Sequence, residues 1–158
     1  MAIYLEYEGV PGEVTEEGHK GWIEIHSFQW GVGRGISTPV GSASKRESSS
    51  PSVSEVVLSK ATCKASAKLF NEATVGQAKK AVIEFTETGP SQQEVYLRFE
   101  LTNALISGYS LSSGGDRPSE SLSLNFTKVE MKYTPYDDKH KAGSPIPAGY
   151  DLVTAKKV

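Results

Sequence analysis

Apolar side chains recur at every second position over most of this 158-residue chain, the pattern of β-strands that bury one face. In residues 120–137 the phase of this alternation changes, because the apolar residues move from even to odd positions. They are Leu122, Leu124 and Phe126, then Val129, Met131 and Tyr133. Two interpretations are open: a β-bulge near Thr127 and Lys128 keeps one face inward, or a straight strand covers first the domain core and then another subunit.

Further alternating segments predict five more main strands and a short closing one. They cover residues 2–8, 21–33, 54–61, 79–88, 94–112 and 150–154. In the long segment 94–112 the apolar residues are expected to keep one odd-numbered face, with a bend at Gly108. The turn SGGDRPSE then joins this strand to the segment 120–137, which predicts an antiparallel hairpin.

Residues 62–75 depart from the period of two. Apolar residues recur there at intervals of four from Ala65 to Ala73, which places them on one face of an α-helix. Thr62 is expected to cap the start of the helix and Gly76 to end it. The whole chain, residues 1–158, is therefore expected to form one mainly β domain with one helix.

Residues 31–54 are rich in Gly, Ser and Pro and show no sustained hydrophobic period. Irregular loops of this length are uncommon in compact domains, and they are usually either functional or disordered. The segment is therefore predicted to be a long loop that binds a partner or lacks a fixed structure.

Composition argues against several classes of partner. The formal net charge is −2, from 17 basic and 19 acidic residues, which gives no general attraction to nucleic acid or to anionic membranes. No segment approaches the roughly 20 apolar residues of a membrane span, and the N-terminus lacks the pattern of a cleaved signal peptide. A single cysteine, Cys63, is consistent with a reducing compartment.

No motif predicts a catalytic, cofactor or metal site. The glycine-rich GVGRG at 31–35 is not followed by a helix that would hold a phosphate, and His19, His26 and His140 do not have the spacing of metal ligands. Serine residues are frequent, but no GxSxG motif is present. We therefore expect neither enzymatic activity nor a cofactor or metal.

Four stretches, in this order, carry a resemblance to a known family. They are IYLEYEGVPGEVTEEGHKGWIEIHSFQWGVGRG, SEVVLSKATCKASAKLF, SGYSLSSGGDRPSESLSLNFTKVEMKYTP and GYDLVT. With the spacing GE-x8-W-I-E-I and LNF in the last long strand, the chain resembles the haemolysin-coregulated protein (Hcp) family, the tube component of bacterial type VI secretion systems.

The resemblance implies two β-sheets forming a barrel-like body with one flanking helix and a long extended loop. It also implies homohexameric rings that stack into a tube, which is propelled from the bacterial cytoplasm without a cleaved signal peptide. The implied partners are other copies of the chain, a spike protein, a sheath and effector proteins. The loop 31–54 would reach a neighbouring subunit, which makes Arg34, Lys45, Arg46 and Glu47 candidate interface residues.

Two other classes of function are open at this point. The first is a carbohydrate- or ligand-binding β-sandwich, in which Trp22, Trp30 and Tyr136 would form stacking platforms. The second is a hydrolase that uses a serine or His26 on a β-sheet scaffold, although no motif for a convergent triad is present.

Overall fold

The computed structural model describes residues 1–41 and 46–158. Most of these residues form antiparallel strands, as the alternating pattern predicts. The first seven strands are β1 (Ala2–Tyr7), β2 (Ile23–Ile25), β3 (Ser27–Gln29), β4 (Val32–Gly33), β5 (Ile36–Ser37), β6 (Glu47–Ser48) and β7 (Ser52–Val53). The next seven are β8 (Val56–Ala61), β9 (Lys79–Thr88), β10 (Gln93–Ser112), β11 (Ser119–Asn125), β12 (Lys128–Tyr133), β13 (Ile146–Asp151) and β14 (Lys156–Lys157).

Two sheets share the long strand β10. The first half of β10 pairs with β9 and β12 in sheet A, whose strand order is β2-β1-β9-β10-β12-β13-β14. The second half pairs with β11 in sheet B, whose order is β10-β11-β8-β3. The predicted two-sheet body is confirmed, but the sheets are not closed into a barrel, so "barrel-like" describes it only loosely.

The core lies between the two sheets and under the helix. Strands of both sheets and the helix contribute side chains with no exposed surface, among them Leu5, Ile23, Leu58, Leu69, Ile83, Leu101 and Leu122. Full burial of one such side chain contributes about 1.5–3 kcal/mol. The same residues define the inward faces of the strands, so their positions show where the alternation changes phase.

The chain between β11 and β12 accounts for the phase change in residues 120–137. It leaves the ladder at Phe126 and Thr127, and the Thr127 amide donates to the Thr102 carbonyl (3.0 Å). Because of this interruption, Phe126 and Val129 both point inward although one is even and the other odd. The break between β11 and β12 therefore explains the phase change, and it is not a β-bulge, because the pairs Thr102–Lys128 and Leu105–Asn125 enclose two residues on each strand. The outer half of β12 remains uncovered.

The prediction of one odd-numbered inward face along β10 is wrong. Ala104 and Ile106 are buried in the second half of the strand, whereas Leu105 is exposed. The backbone reverses its faces at Asn103, whose φ of 53° lies in the left-handed region that asparagine tolerates. The register of β10 also shifts between Val95 and Leu97 and between Ile106 and Gly108, so the expected bend at Gly108 is one of three irregularities.

The helix α1 spans Ser66–Val75 and begins later than the predicted residue 62. Thr62 does not cap it, because the Thr62 hydroxyl donates to the Pro118 carbonyl (3.3 Å) across the sheet. Instead, the Ser66 hydroxyl accepts a hydrogen bond from the Cys63 amide (3.0 Å). Gly76 follows the last helical residue, as predicted.

Candidate functional site

The described residues of the segment 31–54 form an arm whose short strands pair with each other and not with the two main sheets. Near its base Val32 lies opposite Val53 in the β4–β7 ladder, and farther out Ile36 lies opposite Ser48 in the β5–β6 ladder. Each ladder has only two residue pairs, and the described residues between 31 and 50 are all exposed. Isolated two-stranded ribbons are marginally stable, so the arm gains little support from its own pairing.

The arm carries the interface residues predicted from the sequence. Arg34 is exposed between β4 and β5, and Glu47 of β6 lies opposite Ser37 of β5. The Arg46 guanidinium donates to the Thr38 hydroxyl (3.2 Å). The fourth predicted residue, Lys45, lies outside the described residues. The two ladders thus place Arg46 and Glu47 in the outer part of the arm, with Arg34 nearer its base.

Beyond β10, the inward face of sheet A continues on β12 and β13 without a cover. Met131 lies opposite Phe99, and Tyr133 lies opposite Leu97 and Ile146, so all five side chains share one face. Phe99 is buried, but Met131, Tyr133 and Ile146 are 37%, 46% and 63% exposed. We call these three residues the outer apolar face.

An apolar groove of about 310 Å³ lies between the outer apolar face and the base of the arm. Its walls come from the arm, from β12 and from β13, and its lining residues are Trp30, Val32, Pro51, Val53, Val129, Met131, Ala148, Gly149 and Tyr150. Within the described part of the chain, the buried Nε1 of Trp30 has no hydrogen-bond acceptor. The groove therefore joins the arm and the outer apolar face into one continuous surface.

Sequence reasoning missed half of this surface. The last strand was expected at 150–154, whereas β13 spans Ile146–Asp151, so most of it lies before the predicted start. Pro147 and Gly149 hide the strand, because both residues are unfavourable within sheets. Proline is tolerated at this position because β13 lies near the edge of sheet A. The phase change before Met131 and Tyr133 was the one sequence signal of this surface.

In residues 1–41 and 46–158, no three His, Cys, Asp or Glu side chains are arranged to hold a metal ion. His26 and Cys63 line one cleft with Glu24 and Arg117, but the Arg117 guanidinium is already bonded to the Thr62 carbonyl (2.7 and 3.0 Å).

The aromatic residues considered as stacking platforms are engaged within the chain at different places. Trp22 meets the His19 ring edge-on at 4.7 Å, and Trp30 packs against Phe99 at 5.3 Å between ring centroids. The Tyr136 hydroxyl donates to the Val95 carbonyl (3.2 Å). All three side chains are half-buried, and none of these contacts brings two of them onto one ligand-binding surface.

Comparison with known proteins supports the family resemblance over most of the chain. The family model described as "Type VI secretion system effector, Hcp" matches residues 4–133. A 75-residue stretch is 33% identical to Protein hcp1 of Pseudomonas aeruginosa and covers 46% of each chain, so the match spans about half of that relative.

Two solved structures are similar over nearly their full length. A structure described as a type six secretion system protein is 30% identical, with 99% of each chain covered and a TM-score of 0.91. Hcp1 from Salmonella typhimurium is 25% identical, with 99% of this chain and 98% of that chain covered and a TM-score of 0.80. In the described residues, no helix is both long and apolar enough to span a membrane. The chain belongs to the Hcp family of type VI secretion proteins.

Proposed function

We propose that this chain is a structural subunit of the type VI secretion tube and not an enzyme. Residues 1–158 act as one Hcp-like domain, six copies form a ring, and the rings stack into the inner tube that is propelled from the cell and carries effector proteins. The observation that carries the proposal is the outer apolar face, where the core-facing side of sheet A continues into solvent.

A ring requires a heterologous contact, in which one surface of each subunit meets a different surface of the next. The outer apolar face suits one side of such a contact because it is apolar, continuous with a groove and carried on paired strands. Burial of the exposed parts of Met131, Tyr133 and Ile146 would contribute on the order of 1 kcal/mol per side chain. Since every subunit repeats the contact, modest energies add up around a closed ring.

The arm is proposed to contact neighbouring subunits through Arg34, Lys45, Arg46 and Glu47. The described residues of the outer arm are exposed and are supported by two short ladders, which suits a segment that is held by an adjacent copy. Exposed ion pairs contribute about 0–1 kcal/mol each, so these charges would select the register of neighbouring copies more than they would stabilise the assembly.

Family membership supports the remaining partners and the route of the protein. The proposed partners are the spike protein, the sheath and the effectors of the secretion system, and the tube would leave the bacterial cytoplasm. With a net charge of −2, neither nucleic acid nor a membrane surface is proposed as a partner.

The mass of the purified protein in solution tests the proposal. We expect wild-type particles of about six times the 17.0 kDa chain mass by mass photometry, with sixfold rings in negative stain. The double variant Tyr133→Glu/Ile146→Glu should shift the population to monomers, because it places two charges on the outer apolar face.

A matched control separates this effect from a general effect of added charge. Val75→Glu also replaces an exposed apolar residue, at the end of α1 and away from β12 and β13, and it should leave the particle mass unchanged. Circular dichroism would establish that each variant is folded. A wild-type protein that stays monomeric at high concentration, or a double variant that keeps the wild-type mass, would contradict the proposal.

A further inference from the structure

His19 is buried between two carboxylates, although it lies outside the two sheets. Its side chain belongs to the short helical turn Glu17–His19, and the residue is only 2% exposed. The Nδ1 atom contacts Oε2 of Glu16, and the Nε2 atom contacts Oε1 of Glu84 at 2.8 Å. The ring also stacks on Tyr4 of β1, with 4.6 Å between the centroids.

Charged groups of both signs surround this histidine. The ionisable groups packed around it, element by element, are Glu16 in its own loop, Tyr4 in β1, Glu24 in β2 beside Tyr4, Glu84 in β9 and Arg98 in β10, which is bonded to Glu84. A doubly protonated imidazole donates from both nitrogens and satisfies both carboxylates. A neutral imidazole donates only once, so a lone pair of the ring would face a buried carboxylate oxygen.

The contact with His19 also affects the pKa of Glu16. Burial alone would raise this pKa, but the hydrogen bond from His19, a backbone hydrogen bond from Gly18 and the charge of His19 outweigh burial. The pKa of Glu16 therefore lies below its ordinary value.

The hydrogen bond between His19 and Glu84 attaches residues 13–21, here called the latch segment, to sheet A. The backbone bonds of this segment are local: the Gly12 amide donates to the Gly21 carbonyl (2.7 Å), and the Gly21 amide donates to the Val14 carbonyl (2.9 Å). In the part of the chain that the structure describes, His19 provides the one side-chain hydrogen bond from the latch segment to sheet A.

We propose that protonated His19 latches residues 13–21 onto sheet A, and that loss of its proton releases this segment. The release has a second consequence, because Glu13 and Val14 form one wall of the cleft that contains His26 and Cys63. Opening of the latch segment widens this cleft and exposes the thiol of Cys63. Through this contact, one surface of the subunit responds to pH, whether or not the chain forms rings.

Amide hydrogen exchange of the wild-type protein tests the proposal without any substitution. Protection factors of Gly12 and Gly21, corrected for the intrinsic exchange rate, should fall at least about tenfold between roughly pH 5.5 and pH 8.5, the range in which histidine titrates. The Thr127 amide, bonded to Thr102 on the far side of β10, serves as the internal reference and should keep its protection. Constant protection of Gly12 and Gly21 across this range would overturn the proposal.

Two variants locate the effect in His19. In His19→Gln, which has no titrating ring, the protection of Gly12 should be low at every pH. In Glu16→Gln, which removes one carboxylate and leaves Glu84 and Arg98 in place, the loss of protection should begin at lower pH than in the wild type. If His19→Gln retains the pH dependence of the wild type, another group is responsible and the proposal is wrong.

The single cysteine provides an independent readout. At one fixed pH near 7, the alkylation of Cys63 by iodoacetamide should be several-fold faster in His19→Gln than in the wild type, because the thiolate fraction is matched and only access differs. Equal rates in the two proteins would exclude opening of the cleft. Retained protection of Thr127 in His19→Gln would show that the variant is folded.

Discussion

Lys60 and Glu120 form an ion pair in the interior, and the loss of either partner should strongly destabilise the protein. The two residues lie opposite each other in β8 and β11, and neither side chain has any exposed surface. The Lys60 ammonium donates to Oε1 of Glu120 (2.8 Å) and to the Ala61 carbonyl (2.8 Å), while the Ser66 hydroxyl donates to Oε2 of Glu120 (2.6 Å). Every strong contact of the pair is thus made inside the protein.

The expected cost follows from this burial. Glu120→Leu leaves an ammonium group in the interior with only neutral partners, and Lys60→Met leaves a carboxylate with Ser66. The loss of one partner from a buried pair typically costs about 3–5 kcal/mol, because the remaining charge is no longer compensated. The double variant Lys60→Met/Glu120→Leu should recover most of this loss, since the replacement of a whole buried pair by apolar side chains is often neutral.

Urea unfolding of the two single variants and the double variant measures this pattern. Similar modest losses in the single variants, adding up in the double variant, would refute the reasoning, because an exposed or hydrated pair would behave in that way.

The acid dependence of the stability provides a second check. Burial raises the pKa of Glu120, but hydrogen bonds from Lys60 and Ser66 outweigh it and lower the pKa below its ordinary value. The stabilisation is therefore present above the unfolded pKa of about 4.3 and is lost below it, so the double variant should lose less stability in acid.

Two further substitutions test the packing around the first strand. Tyr7→Phe should cost about 0.5–1.5 kcal/mol at neutral pH, because the Tyr7 hydroxyl donates to the Ala104 carbonyl (3.2 Å). Burial, with a smaller effect of Glu72, raises the pKa of Tyr7 to about 12, so its contribution should be lost between about pH 10 and pH 12, and urea melts of Tyr7→Phe should show a flatter alkaline limb. Gly12→Ala should cost about 1–3 kcal/mol in the same assay, because its Cβ would lie 2.7 Å from the carbonyl carbon of Trp22. In the control Gly31→Ala, the added Cβ would have no neighbour within 4 Å among the described residues, so stability should change by less than about 0.5 kcal/mol.

The sequence predicted the parts of the fold that depend on local pattern. Alternation located the main strands, and the interval of four located the helix and its end at Gly76. The spacing GE-x8-W-I-E-I also has a structural reason, since the Gly12 amide bonds to Gly21 and Gly12 packs against the Trp22 carbonyl. Only a residue without a Cβ fits there, so the spacing from this glycine to the tryptophan is constrained by a backbone contact.

The features that sequence reasoning missed depend on pairing between distant segments. Lys60 and Glu120 are ordinary polar positions in their own strands, and only the register between β8 and β11 places them together in the interior. In the same way, His19 meets Glu84 of β9 across 65 residues of sequence. The reversal of β10 at Asn103 was not predicted, because Leu101 before it and Leu105 after it continue the odd-numbered alternation. Local pattern carries no information about such partners.

Whether the edge of sheet A at β13 is open or blocked affects how copies of the chain would associate. An open strand edge invites pairing with another chain, and proteins commonly block such edges with proline and lysine. Here Pro147 removes one backbone donor from β13, and β14, which consists of Lys156 and Lys157, pairs with the end of β13. The edge is protected, whereas the outer apolar face beside it is not. Side-chain packing is therefore favoured over strand addition as the contact in the proposed ring, and charges placed at Tyr133 and Ile146 should reduce the particle mass more than changes to the β13 edge.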